Sequence, residues 1–443
     1  LFYFRSSMIE QLYSTYLSST GICTDTRSLA EGNLFIALKG PSFNANDFVL
    51  TALSNGALAC VVDENREEFE GVEGIYKVDD GLKALQELAL FHRSKLRIPV
   101  IGLTGSNGKT TTKELIHAAL SSEYRTYATK GNLNNHIGVP LSLLEIDRNK
   151  HEIAIIEMGA NHIGEIADLC KIARPNFGLI TNLGLAHLEG FGSEAGIYRG
   201  KKELFDFIKE IEGKAFINAD DFKVLEASEG LEQIRYGTSD SNHLVGGIEP
   251  NSVTLRVNWK KSGDEYKHNL GTQLTGEYNF TNVLAAVCIA SYFGVSPEHI
   301  KEGIGNYRPD NNRSQIERTD KDNEVILDCY NANPSSMSAA LTNLDHFSSE
   351  KPKVAILGDM LELGDRSARE HEIVLDQLSS IDLAQIYLVG PEFRKTKSNP
   401  GNVECFESTS ELASVLAEKG IENSIILLKA SRKMKLEQLF ELL

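Results

Sequence analysis

Residues 102–112 read Gly-Leu-Thr-Gly-Ser-Asn-Gly-Lys-Thr-Thr-Thr, directly after the apolar run Ile98-Pro99-Val100-Ile101. A short strand that runs into a glycine-rich turn, then into a helix opened by a lysine and hydroxyls, has the chemistry of a phosphate cradle. Glycine lets the backbone wrap close to an anion and turn N–H groups toward it. The start of the following helix adds a favourable field. In such a cradle Thr104, Gly105, Ser106, Asn107, Gly108 and Thr111 surround the anion. Lys109 reaches the terminal phosphates and Thr110 offers a hydroxyl to Mg²⁺. The general nucleotide-loop pattern has glycine at the place of Leu103, whereas this chain has its early glycines at 102 and 105. The competing reading is a plain tight strand-to-helix turn. On the cradle reading the chain uses ATP or GTP, and the open question is what receives the phosphoryl group.

A nucleotide loop in an α/β sheet draws its metal ligands from the carboxyl ends of neighbouring strands. Glu157 stands there, after Ile153-Ala154-Ile155-Ile156. A carboxylate just past a buried strand costs desolvation energy unless it meets a cation; capping a helix from the loop is the alternative. His187, in Thr181-Asn182-Leu183-Gly184-Leu185-Ala186-His187, lies beyond the next apolar run and is a second candidate ligand, against the plain reading of a structural histidine. Lys201 opens Lys-Lys-Glu-Leu-Phe. Paired lysines ordinarily mark a solvated helix face. A lysine held near metal ions can instead carry CO₂ as a carbamate and so supply an anion.

The elements that position these residues follow from the alternation of apolar runs. Strands are expected near 34–38, 59–62 and 75–78, with helices near 48–55 and 82–94, as a small α/β unit over residues 1–96. Residues 97–306 alternate strand and helix: strand 98–103, helix 109–121, strand 153–157, helix 164–173, strand 177–181, helix 193–211, strand 215–218. This implies a parallel sheet covered on both faces. Antiparallel strands at 253–259 and 266–274 and helices at 278–292 and 297–304 close that domain. Residues 307–443 carry strands at 325–328, 354–357, 386–389 and 425–428 between helices at 334–347, 367–379, 408–419 and 433–442, a second doubly wound unit. The expected fold class is α/β in three domains: a small first domain, a central domain built on the phosphate loop, and a Rossmann-like last domain.

With 443 residues the chain has room for about three domains of ~150 residues. Its 62 acidic against 45 basic residues give a net charge of −17, which favours neither nucleic acid nor an anionic membrane as partner. Positive charge for a phosphate must therefore be concentrated locally. The six cysteines at 23, 60, 170, 288, 329 and 405 show no paired spacing and read as reduced thiols of a cytoplasmic protein. No apolar run approaches the ~18 residues of a membrane span.

Together the motifs resemble one family, the ATP-dependent Mur ligases of bacterial cell-wall synthesis. The residues that carry the likeness are TGSNGKTT, NLNNHIGVP (132–140), Glu157, the TNLG…H segment and GEYNFTNVLAA (276–286), in the family's order over the whole chain. Within the family, AHLEGFGS (186–193), YNANPSSM (330–337), ILGDMLELGDRS (356–367) and LLKASRKMKLE (427–437) resemble the ligase that adds D-alanyl-D-alanine to a UDP-N-acetylmuramoyl-tripeptide. The Asp-Asn-Pro-Arg expected of the ligase adding the third residue is absent.

The resemblance implies that Lys109 and Thr110 serve ATP and Mg²⁺, two ions in all, that Glu157 and His187 bind metal, and that Lys201 matches the lysine carbamylated in sister ligases. It implies nucleotide contacts for Asn279 and Asn282, a reach of Arg313 to the phosphates, and a place near them for Asp328. Thr24, Asp25, Thr26, Arg27 and Lys39 resemble the part that holds the UDP group, and Asn135 falls in a substrate segment. Asn331, Asn333, Ser336, Lys429, Ser431 and Arg432 would lie near the incoming dipeptide. Asn44-Ala45-Asn46-Asp47 replaces the family's usual Asp-Gly-His-Asp, and Tyr278 stands where His is common.

The activity so implied passes through an acyl phosphate, which hydrolyses readily, so closure of the last domain about a hinge near 307 is expected. The partners are the two small-molecule substrates, with the protein acting as a monomer. Competing readings are another Mur-type amide ligase (the third-residue ligase or a folylpolyglutamate synthase), a nucleotide-binding module without catalysis, and a kinase using the same loop.

Overall fold

Short apolar runs become strands here because each is bounded by turn residues and has neighbours of the same kind to pair with. The structure, a computed structural model, describes residues 2–250, 254–309, 313–396 and 402–443. The chain folds into two units. One holds residues 1–103, 124–160 and 164–178; the other holds 104–123, 161–163 and 179–443.

In the first unit, Ile22–Cys23, Leu34–Ile36, Ala59–Val62 and Ile75–Lys77 form a four-stranded parallel sheet in that order. Phe35, Val49, Cys60, Val62 and Phe69 fill its core. The helix Gly81–Lys95 starts at Asp80, whose carboxylate accepts from the Lys83 N–H at 2.9 Å. It packs on the helices Gly138–Leu144 and Glu165–Ala173. Near its end Arg93 is buried. Its guanidinium donates to the carbonyls of Ala173 (2.8 Å), Arg174 (2.9 Å) and Leu96 (3.2 Å), and to Asn176 Oδ1 (3.2 Å). It thereby satisfies the open carbonyl end of the 165–173 helix, and burial lowers its pKa to about 10. Arg93→Ala orphans these acceptors and is expected to destabilise the protein by about 2–3 kcal/mol, read from the urea midpoint.

The same unit contains three parallel strands, Val100–Thr104, Ile153–Glu157 and Thr126–Ala128. Their register sets Leu103 opposite Glu157. The expected carboxylate is therefore level with the residue that precedes the glycine-rich turn.

In the second unit, Lys214–Asn218, Glu232–Gly237 and Leu244–Ile248 pair in parallel, and Arg256–Lys261 and His268–Gly271 continue in antiparallel fashion. Val253, in the strand expected at 253–259, lies outside the described residues. The apolar helix Phe280–Tyr292 packs against the helix Lys109–Leu120 that follows the loop. A six-stranded sheet occupies the last part of the chain. Its order is Gln315–Arg318, Glu324–Asp328, Ile425–Lys429, Lys353–Gly358, Gln385–Val389 and Val403–Phe406, with the first strand antiparallel and the rest parallel. Side chains such as Leu341, Leu357 and Leu427 pack on one of its faces, and Ile356, Leu428 and Leu439 on the other. The fold class is the expected α/β architecture with parallel-dominated sheets.

One local expectation differs. Residues 433–442 form 3₁₀ turns, Arg432–Met434 and Leu436–Leu442, rather than an α-helix. Lys435 between them takes a left-handed φ of 55°, and Leu436 and Leu439 are spaced by the three residues of a 3₁₀ turn. The helix Phe2–Ser18 is not among the elements expected from the sequence. Among the described residues no helix is long and apolar enough to cross a membrane, and no disulfide joins any of the six cysteines.

Candidate active site

The turn after Val100–Thr104 takes its shape from two glycines. Gly105 has φ 147° and Gly108 φ 76°. A Cβ on Gly105 would meet Thr181 Oγ1 at 1.9 Å, and one on Gly108 would meet Asn282 Oδ1 at 2.7 Å. Both positions exclude any larger residue, which fits a backbone cradle. Ser106 Oγ donates to the Gly184 carbonyl at 2.6 Å. The Asn107 N–H donates to Asn182 Oδ1 at 3.0 Å, and its carbonyl accepts from Thr181 Oγ1 (2.6 Å) and Asn182 Nδ2 (3.0 Å). Lys109 Nζ lies across the mouth of the turn and donates to the Gly105 carbonyl at 2.7 Å. The Thr104 hydroxyl is buried without a hydrogen-bond partner among the described residues. Thr110 and Thr111 are buried in the first helical turn. Gly105→Ala is expected to weaken ATP binding about tenfold or more; loss of the ATP-dependent rise in melting temperature is the measurement.

Asn279, in the turn Glu277–Asn279, and Asn282, in the helix Phe280–Tyr292 that follows it, flank this turn. Asn282 Oδ1 accepts from Thr112 Oγ1 at 3.0 Å, and its Nδ2 donates to Asn279 Oδ1 at 2.9 Å. Lys201, on the helix Glu194–Glu210, is fully buried, its Nζ 5.2 Å from the Phe191 ring centre. His187 has a left-handed φ of 54° and donates from Nδ1 to Glu362 Oε2 at 2.6 Å. That bond, with partial burial opposing it, holds the Glu362 carboxyl below its usual range.

A second cluster gathers at the carboxyl ends of Glu324–Asp328 and Ile425–Lys429, where open α/β sheets bind ligands. Asp328 and Lys429 are register partners, and Lys429 Nζ lies 2.5 Å from Asp328 Oδ2 and 3.3 Å from the Asn331 carbonyl. The Arg313 guanidinium stacks on the Tyr330 ring at 3.5 Å, and Arg432 lies 5.2 Å from the same ring. Arg313 Nε is buried with no partner among the described residues. Ser431 Oγ accepts from the Leu361 N–H at 2.8 Å. Asn333 caps the helix Pro334–His346 by accepting from Ser336 N–H at 2.9 Å, and Ser336 Oγ accepts in return from the Asn333 N–H at 3.1 Å. Asn333 Nδ2 donates to Asn107 Oδ1 at 2.7 Å, which ties this cluster to the glycine-rich turn.

The remaining sequence candidates belong to the first unit. Glu157 is buried at the end of its strand; its Oε1 accepts from Asn134 Nδ2 at 2.8 Å and its N–H donates to Thr129 Oγ1 at 3.0 Å. Asn135 Oδ1 caps the start of Gly138–Leu144. Asp25 and Arg27, next to Thr24 and Thr26, form an exposed ion pair. Hydrogen bonds from Arg27 bring the Asp25 carboxyl to about 2. Lys39 pairs with Asp63 at 3.1 Å.

Over 95 % of this chain and 92 % of its own length, the D-alanyl-D-alanine-adding ligase of Bacillus subtilis, UDP-N-acetylmuramoyl-tripeptide--D-alanyl-D-alanine ligase, is 34 % identical to it. The chain belongs to the Mur ligase family. The Mur ligase middle domain matches residues 103–290, and the Mur ligase glutamate ligase domain matches 312–432. Among solved structures, MurF of Acinetobacter baumannii superposes with a TM-score of 0.86 at 31 % identity, covering 98 % of each chain. MurF of Thermotoga maritima in complex with ADP superposes with a TM-score of 0.83 at 27 % identity, covering 96 % of this chain and 97 % of that one.

In this Mur ligase several site residues carried no sequence signal of their own. Tyr330 and Glu362 lie in strings that carry the family likeness, yet nothing local to them announces a stacked guanidinium or a histidine partner. Asn182, in a loop, and Ser335, in the first turn of the helix Pro334–His346, are ordinary polar residues until the fold brings the glycine-rich turn and the 181–187 segment against them.

Proposed function

We propose that this chain is the ATP-dependent ligase that joins D-alanyl-D-alanine to UDP-N-acetylmuramoyl-tripeptide in peptidoglycan precursor synthesis. The observation that carries the reading is a phosphate-type turn and a cationic cluster at strand ends within one unit, tied by the Asn333–Asn107 hydrogen bond. The names of the relatives supply the substrates. Residues 1–96 are assigned to the UDP group, 97–306 to ATP and 307–443 to the dipeptide, in the cytoplasm where ATP is made.

Amide formation needs a better leaving group than oxide. A carboxylate oxygen of the tripeptide attacks the γ-phosphorus, ADP leaves and an acyl phosphate forms. The dipeptide amine attacks the acyl carbonyl, and phosphate departs from the tetrahedral intermediate as the amine loses a proton. The protein's part is positioning and charge neutralisation. Lys109 and the amides of 104–111 grip the phosphates, with Asn279 and Asn282 beside the nucleotide. Arg313, whose Nε is buried with no partner among the described residues, supplies a further cation, and Asp328 holds Lys429 in place. Asn331, Ser336, Ser431 and Arg432 flank the dipeptide. Thr24 to Arg27, Lys39 and Asn135 serve the UDP-tripeptide.

Among the described residues no three His, Cys, Asp or Glu side chains gather into a cation cage. The Thr110 hydroxyl and the Glu157 carboxylate are hard oxygen donors of the kind Mg²⁺ takes, an ion that uses one or two protein ligands and completes its shell with substrate phosphates and water. Thr110, Glu157, His187 and a carbamylated Lys201 would hold two such ions between them, and bound Mg²⁺ would neutralise phosphate charge.

The test is ADP release with UDP-MurNAc-tripeptide, with D-alanyl-D-alanine, lysine, diaminopimelate or glutamate offered as amine. Rapid release confined to the dipeptide is expected; a preference for another amine overturns the reading. Lys201→Ala is expected to lose about a hundredfold in activity, partly restored by added formate or acetate standing in for the carbamate. A wild-type rate would leave Lys201 without that role.

A further inference from the structure

The first turn of the helix Pro334–His346 does more than end a strand-to-helix connection. Asn333 is 7 % exposed, and its side-chain amide has its orientation dictated. Oδ1 is used by the cap to Ser336 N–H, so Nδ2 is the end that faces Asn107 Oδ1 at 2.7 Å. Asn107 is itself immobilised, because its backbone N–H and carbonyl are both taken by Asn182. Two residues further on, Ser335 Oγ accepts from the Leu185 N–H at 3.0 Å. The contact is close: a Cβ on Gly184 would lie 2.8 Å from that oxygen. Ser106 closes the circuit through the Gly184 carbonyl at 2.6 Å.

Three hydrogen bonds, Ser106 to Gly184, Leu185 to Ser335 and Asn333 to Asn107, therefore form a ring through the phosphate loop, the 181–187 segment and the helix start. The helix is rooted elsewhere. Ala332, Met337, Ala340 and Leu341 are buried in the core of the last six-stranded sheet, so it moves with that sheet. Asn343, further along the helix, bonds Thr275 Oγ1 at 3.2 Å.

We infer that Asn333 and Ser335 are positioning residues that fix the phosphate loop through Asn107 and the 181–187 segment only when the last sheet is docked, so that the triphosphate seat reaches its working shape together with the dipeptide end of the site. The inference rests on the ligase reading above and adds to it a pair of residues that act on the loop rather than on a substrate. ATP binds whether or not the sheet is docked, whereas chemistry needs the ring. The loss on breaking it falls on kcat more than on KM for ATP.

The decisive variant is Asn333→Ser. Serine is as good an N-cap as asparagine, so the helix start is kept, but its hydroxyl is too short to span to Asn107 while capping. Phosphate release with UDP-MurNAc-tripeptide and D-alanyl-D-alanine is expected to fall about tenfold or more in kcat, with KM for ATP within about twofold of wild type. Asn107→Ala is expected to lose about as much, and the double variant no more than either single, since both remove one bond. Hydrogen–deuterium exchange of the ligand-free protein is expected to speed up in 104–112 and 181–187 in Asn333→Ser while 334–346 keeps its protection. Wild-type kcat, losses that multiply in the double variant, or unchanged exchange in the two loops each overturn the inference. A wild-type protein that releases no ADP with any amine refutes the ligase reading alone, and the exchange comparison still decides the ring.

Discussion

Lys109→Ala is expected to bring phosphate release down about 10³-fold, roughly 4 kcal/mol of transition-state stabilisation. The ammonium is the cation that the glycine-rich turn itself carries, and it sits against the carbonyls of that turn. Its Nζ donates to the carbonyls of Gly105 (2.7 Å) and Ser106 (3.4 Å), so the four-carbon stem is folded over the cradle rather than extended from it. A terminal phosphate entering the cradle meets that charge before any other side chain of the turn. Negative charge builds on the transferring group and on the departing ADP oxygen, and with alanine it faces backbone dipoles alone. The helix start supplies part of the field, but an exposed dipole end is worth far less than a full charge at contact distance. The fold does not depend on this residue: the turn's shape is set by Gly105, Gly108 and the Thr181–Asn182 bonds to Asn107. Unchanged far-UV circular dichroism and melting temperature are therefore expected beside the lost turnover. Near-normal turnover would refute the assignment of the loop.

What the sequence made legible and what it did not divide along a physical line. The phosphate loop is readable because its chemistry is almost wholly backbone: eight consecutive residues contain the glycines, the lysine and the hydroxyls. The parallel strands are readable because a buried strand must be apolar throughout, as Ile153–Ile156 and Ile425–Leu428 are. Glu157 and Asp328 announce themselves as charges at the ends of such runs. Asn107 and Asn333 are 226 positions apart, and His187 and Glu362 are 175 apart. No local pattern marks such pairs, since each is satisfied only by a neighbour the fold delivers. Arg313 was expected near phosphates, yet its stacking on Tyr330 depends on where the chain re-enters the last sheet. The 3₁₀ ending at 436–442 shows a weaker ambiguity. Leucines spaced by three fit an α-helix as readily as a 3₁₀ turn until the left-handed Lys435 interrupts the run.

Removing one member of the Asp328–Lys429 pair is expected to cost more than removing both. Lys429 is 1 % exposed in its side chain and Asp328 16 %, with Nζ and Oδ2 2.5 Å apart on register-paired strands. Breaking a buried pair by deleting one partner leaves the other charge desolvated and uncompensated, whereas replacing both with neutral groups of similar volume can be nearly neutral. Lys429→Met leaves Asp328 with some access to water, so the loss is set at ~2–3 kcal/mol from the denaturant midpoint. Asp328→Asn strands a lysine with almost no access to water and is expected to cost ~3–4 kcal/mol. The double variant Asp328→Asn/Lys429→Met is expected to recover most of that stability, giving a coupling energy of ~2 kcal/mol or more across the cycle. Activity separates the structural part from the chemical one. If the pair only holds two strands together, the double variant regains turnover with its stability. If Lys429 also faces the dipeptide, as the ligase reading assigns, turnover stays about a hundredfold down in a protein that folds normally. The second outcome is expected, because the pair lies at the carboxyl ends of its strands, beside Asn331 and the Arg313–Tyr330 stack, rather than in the middle of the sheet where a purely structural pair would sit.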